Sequence, residues 1–162
     1  MADQVDRILE QWQREKPELN VAPMAVIGRL SRAALRIESR LAETFAQHGL
    51  DAASFDVLAT LLRSGTPYQL TPAELAQESM ISTSAVAQRL NKLEARALVT
   101  RESNPNDGRG TLVALTNTGH KVIDKALPDH IETECAILAP LSHEEQKTLA
   151  LLLSKISTPE FD

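Results

Sequence analysis

The chain is poor in cysteine, in long apolar runs and in cationic excess, and each shortage removes a class of protein. One cysteine, Cys135, in 162 residues excludes an intrachain disulfide and any cysteine-rich metal centre. Its spacing from Ile131 and Leu138 predicts a buried helical position. No apolar run approaches the length needed to span a bilayer. The first residues, Met1 to Asp6, lack the basic and apolar regions of a secretory signal, so a cytoplasmic protein without membrane partners is expected. Repeats and low-complexity tracts are missing too. The four histidines and the carboxylates show no nucleophile elbow, phosphate loop or metal-ligand spacing. No catalytic residue, metal site or cofactor is therefore assigned, and an enzyme is not expected. A 43% hydrophobic content suits one domain with a modest core, or a smaller core completed by a partner subunit.

The net charge is −5, but its distribution is uneven. Between Ser82 and Gly110, five cations (Arg89, Lys92, Arg96, Arg101 and Arg109) face three anions (Glu94, Glu102 and Asp107). That local balance of +2 leaves −7 for the remainder. A locally cationic surface on an acidic body can neutralise phosphates while limiting indiscriminate adhesion.

The same region has a distinctive order of elements. Thr71, Pro72 and Glu74 form a capping-box start with proline at the first helical position. A short helix through Ser79 follows. After Met80 and Ile81, Ser82 is the expected N-cap of a second helix with Val86, Leu90, Leu93 and Ala97 on its core stripe. The opposite face presents Ser84, Gln88, Asn91 and Lys92, the hydroxyl, amide and ammonium groups that read base edges and phosphates. Arg89 and Arg96 lie on a flank. Leu98 to Glu102 and Thr111 to Leu115 then read as strands around a turn-rich loop, Ser103 to Gly110. Arg109 near the tip suits a minor groove, and Asp107 is expected to brace it. Helix, turn, helix and charged hairpin make a winged helix-turn-helix, with double-stranded DNA as the leading partner.

The flanking segments read as helices: about Gln4 to Lys16, Pro23 to His48, and one from the Asp51 N-cap to near Gly65. A long helix starts at Thr116 and continues past Pro128. Ser142 and Glu145 open a last one. Arg29, Arg32, Arg36 and Arg40 line one side of the second helix and read as a solvated face. Helices from both chain ends carry more apolar surface than a small winged domain can cover, so a homodimer is expected.

Asp56 and Arg63 share a face of the third helix, roughly 10 Å apart along its axis. The gap suits a planar polar ligand whose anionic edge meets the guanidinium fork, and Trp12 offers a stacking surface. Each residue also has a structural role open to it, with Asp56 and Arg63 complementing the ends of their own helix and Trp12 anchoring the first.

With these residues in place, the chain resembles the MarR family of transcription regulators. Asp107-Gly108-Arg109-Gly110 matches the family's wing, and Leu115-Thr116-x-x-Gly119 matches its exit into the long helix. The resemblance implies a mainly α winged helix-turn-helix with a two-stranded β wing and dimerisation helices at both ends. The whole chain, 1–162, would be one such domain: about 1–50 and 116–162 for dimerisation, about 51–115 for the DNA-binding lobe. It also implies a dimer placing two recognition helices about 34 Å apart on a pseudo-palindromic operator. Gln11-Trp12, the Pro23 to Leu30 segment and Phe55-Asp56-Val57-Leu58 resemble the urate-responsive branch, which has an extra N-terminal helix. That resemblance implies ligand contacts from Trp12, Asp56, Arg63 and a second arginine, Arg89 or alternatively Arg101. A ligand-released repressor follows, with urate or another anionic or phenolic metabolite as effector. The alternative is a constitutive architectural DNA binder. On this reading Arg63→Ala would abolish the effector response and leave DNA affinity nearly intact.

Overall fold

The computed structural model describes residues 2–80, 83–104 and 110–157. The described residues form seven helices and one small sheet. The helices are α1 (Gln4–Glu15), α2 (Ala22–Gln47), α3 (Ala52–Arg63), α4 (Pro72–Glu78), α5 (Thr83–Ala95), α6 (Asn117–Leu138) and α7 (His143–Ser157). Strands β1 (Gln69–Leu70), β2 (Val99–Ser103) and β3 (Thr111–Leu115) make an antiparallel sheet in the order β1-β3-β2. No helix among the described residues is long and apolar enough to cross a membrane. The contacts divide the chain into two units, Met1–Arg40 and Leu41–Asp162.

In the first unit, α1 opens with a capping box made of two aspartates. The Asp3 carboxylate accepts from the Val5 and Asp6 N–H groups, and Asp6 reaches back to the Asp3 N–H. Arg29 of α2 donates to both, to Asp3 at 2.9 Å and to Asp6 at 2.6 Å. These hydrogen bonds, backbone first and then guanidinium, hold both carboxyls below their ordinary values. Val5 is buried in contact range of Gly28. Other apolar side chains of the two helices are not covered: Ile8 and Trp12 of α1 remain about 40% exposed, and Val26, Ile27 and Leu35 of α2 more so. An apolar groove of about 540 Å³ runs past Val5, Ile8, Leu9, Met24 and Ile27.

The second unit holds the main core. Leu58 and Leu61 of α3, Leu75 of α4, Leu93 of α5, Val113 of β3 and Ile123 of α6 are fully buried together. Full burial of such side chains contributes about 1.5–3 kcal/mol each and is the main reason these short elements persist. Local signals set their limits. Gly49, at φ +66°, turns the chain out of α2, a conformation that costs glycine nothing. The Asp51 carboxylate then caps α3 by accepting from the Ser54 N–H at 2.8 Å. Thr71 and Glu74 form the predicted capping box on α4, with Pro72 at the first helical position. Thr71→Ala should cost about 1 kcal/mol, measurable as a lowered urea midpoint with an unchanged m-value.

Two residues depart from their expected positions, and a short strand, β1, adds to the expected hairpin. Ala97, expected on the core stripe of α5, lies beyond the helix end at Ala95 and is an exposed turn residue at φ +54°. Its N–H bonds the Glu94 carbonyl, and the core position passes to Leu98. Cys135 is exposed rather than buried, because the second half of α6 presents its stripe outward, Ile131 included at 50% exposure. β1, only two residues long, exists by pairing Gln69 with Ala114 and Leu70 with Val113.

Candidate nucleic-acid interface

The α4–turn–α5 pair and the β2–β3 hairpin form one cluster in the second unit. Val86, Leu90 and Leu93 anchor α5 in the core. This forces its other face outward, and Ser84, Gln88, Asn91 and Lys92 are all exposed there as expected. The hairpin pairs Val99 with Leu115 through Ser103 with Thr111, one residue later on β2 than the sequence suggested. At its end the Asn104 N–H donates to the Gly110 carbonyl at 2.9 Å. Ser82, Asp107 and Arg109, also expected at this surface, lie outside the described residues.

The exposed face is polar but partly engaged. Gln88 has no partner among the described residues, so both ends of its amide are available. The Asn91 carbonyl oxygen accepts from Arg101 at 2.7 Å, and Arg101 also pairs with Glu94 at 3.3 Å. The Asn91 amide N–H₂ is left to donate. Lys92 sits 3.1 Å from Asp51, and Arg89 reaches the same oxygen at 3.3 Å. Arg96 donates to the Gly49 carbonyl at 2.7 Å. Arg89 and Lys92 of α5 and Arg96 just beyond its end thus hold the helix to the α2–α3 corner. Burial opposes ionisation of Asp51, but hydrogen bonds from Ser54 together with Lys92 and Arg89 outweigh it and keep the carboxyl below its ordinary value. The Arg89 Nε is buried without a hydrogen-bond partner among the described residues. Sequence reasoning treated Asp51 only as a helix cap; its hold on two cations about forty residues away left no local signal.

The ligand candidates divide differently from their order in the sequence. Trp12 belongs to α1 in the first unit and is 41% exposed. Asp56 and Arg63 both project from α3 onto the backbone of the α4–α5 connection. The Asp56 carboxylate accepts from the Met80 N–H at 2.7 Å, and the Arg63 guanidinium donates to the Glu78 carbonyl. These two backbone groups are two residues apart, at the end of α4 and just after it, so α3 clamps the chain at two points where it leaves α4. Arg63 also lines a cavity of about 290 Å³ with Thr60, Ser64, Leu70, Glu74 and Glu78. The Thr60 hydroxyl there is buried without a partner among the described residues. Arg89 is held by Asp51 as described, and Arg101 by Asn91 and Glu94. Among the described residues no group of histidine, cysteine and carboxylate side chains is arranged to hold a metal.

Comparison with known proteins places this geometry. Residues 48–110 match the model of the MarR family. The chain is 39% identical over 153 residues to the HTH-type transcriptional regulator PecS of Dickeya dadantii, covering 94% of this chain and 92% of that protein. Its fold is similar to that of a cysteine-to-serine variant of E. coli MarR complexed with operator DNA, with a TM-score of 0.73 and 26% identity over 91% of this chain and 98% of that one. It is also similar to Bordetella bronchiseptica BpsR, whose DNA binding is regulated by 6-hydroxynicotinic acid. There the TM-score is 0.76 with 26% identity, over 83% of this chain and 94% of that one.

Proposed function

Because the chain belongs to the MarR family of transcription regulators rather than to an enzyme family, we propose that it is a ligand-responsive repressor that binds a pseudo-palindromic operator as a homodimer. The carrying observation is the fixed, outward-facing row Ser84, Gln88 and Asn91 on a helix whose other side is locked into the core. Its groups match the acceptor and donor edges of a major groove. Two copies are needed for a two-fold site, and the apolar side chains one chain leaves uncovered supply the area. They include Ile8, Trp12, Val26 and Ile27 near the start and Leu149, Leu151, Leu152 and Ile156 on α7.

The effector in this reading is a small planar anion, urate or a related aromatic acid or phenolate. Asp56, Arg63 and Arg89 are its contacts. BpsR, responding to an aromatic acid, supports the ligand class. The turn clamp supplies a route from effector to DNA. An anion that recruits the Arg63 guanidinium competes with the Glu78 carbonyl, because an ionised acceptor adds opposite charge and a bidentate fit to the guanidinium fork that a single carbonyl oxygen lacks. Loss of that anchor frees the turn and with it the start of α5. The coupling is reciprocal, so operator must weaken effector binding by the factor by which effector weakens operator binding, on the order of 1–3 kcal/mol.

The test is a fluorescence-anisotropy titration at fixed salt, using promoter DNA flanking the gene, with urate and a panel of aromatic acids and phenols. Selective binding released by one compound supports the proposal. Selective binding that no compound alters favours a constitutive DNA binder, and absence of selective binding removes the operator-reading role.

A further inference from the structure

Asp51 stands out because its carboxylate has two occupations. Oδ1 caps α3 through the Ser54 N–H, while Oδ2 faces both Lys92 at 3.1 Å and Arg89 at 3.3 Å. The two cations belong to α5, the helix read above as the DNA-recognition element, and this inference rests on that reading. All three side chains are roughly one third to one half exposed. Ion pairs in such positions are weak and exchange readily with solvent and other anions. Arg89 in addition keeps a buried Nε–H that the carboxylate does not use. A phosphate presented to this face would therefore meet cations already half-neutralised by a carboxylate that it must displace.

We propose that Asp51 is a built-in competitor for the DNA backbone. It occupies the Arg89 and Lys92 cations in the free protein and so holds down affinity for DNA that lacks the operator sequence. Operator DNA overcomes the competition because base contacts add to the phosphate contacts. DNA of any other sequence offers phosphates alone, so the same displacement cost brings its weaker binding below useful occupancy while operator binding survives it.

Asp51→Asn isolates the charge, because asparagine caps a helix as well as aspartate does. Binding of the full-length variant to a random duplex and to an operator duplex is measured across a salt series. Each cation released from Asp51 to the DNA should steepen the slope of log K against log salt by about 0.9 and raise affinity for random DNA roughly eightfold at 0.1 M salt. The operator-to-random ratio should change little, because both duplexes displace the same carboxylate. Asp51→Ser, which caps through a hydroxyl, should reproduce the result and guards against a defect peculiar to the asparagine. Adding Lys92→Gln to Asp51→Asn should take back about one cation of slope. An unchanged or shallower slope in both Asp51 variants overturns the inference, as does a steepening that Lys92→Gln does not reduce. Wild-type protein that binds neither duplex would instead overturn the DNA-reading role beneath it.

Discussion

Gly119→Ala is expected to lower stability by about 2–3 kcal/mol, equivalent to a thermal midpoint roughly 5–10 °C lower for a chain of this size. Gly119 sits in the first turn of α6, pressed against the end of the recognition segment. A methyl group there would fall inside the van der Waals envelope of the Leu98 carbonyl oxygen and only 2.9 Å from Leu115 Cδ1. The carbonyl cannot retreat cheaply. It accepts from the Thr116 N–H at 3.2 Å, and the Thr116 hydroxyl, which donates to the neighbouring Ala97 carbonyl at 2.7 Å, caps α6 by accepting from the Gly119 N–H at 2.9 Å. Moving Leu98 would disturb β2 at its first residue and with it the wing. Operator binding should fall together with stability. An unchanged melting curve would show that the junction is softer than this packing implies.

The second large effect is expected at the turn clamp. Asp56→Ala removes the acceptor for the Met80 N–H, and Arg63→Ala removes the donor to the Glu78 carbonyl. Met80 is 93% exposed, so water can replace the lost partner and global stability should change by less than about 1 kcal/mol. What is lost is the tether that holds Glu78 and Met80 to α3 just ahead of α5. Operator affinity should fall about fivefold to tenfold in each variant, close to 1 kcal/mol in binding free energy. The sequence alone suggested that Arg63→Ala would spare DNA binding. The contact with Glu78 changes that expectation, because the same guanidinium holds the helix-turn-helix backbone. Titration of operator DNA with each variant at one salt concentration decides it. Wild-type affinity in both would mean that the clamp does not position α5.

Much of the scaffold was legible in the chain because its signals are local. The capping box at Thr71 and Glu74, the Asp51 and Thr116 caps and the glycine exit at Gly49 each involve partners within about one helical turn. The stripe Val86, Leu90 and Leu93 obeys a period that a helix alone imposes. Hence the outward set Ser84, Gln88, Asn91 and Lys92 was readable as well. The stripe misled only where local geometry ended. Ala97 continues the spacing beyond the last turn of α5, and Cys135 lies on a stripe of α6 that a single chain does not cover.

The sequence by itself determined the winged helix-turn-helix order, where the capped helices start and the residue types offered to DNA, because each depends on hydrogen bonds and periodicity among near neighbours. Only the tertiary structure decided which of those polar groups are engaged. Asp51 reaches Lys92 across 41 positions, Asp56 reaches Met80 across 24, and Gly119 meets Leu98 from the far side of the wing. β1 likewise exists only because β3 supplies its partner. Such contacts depend on how the core brings distant segments together, a property that no short window of the chain contains.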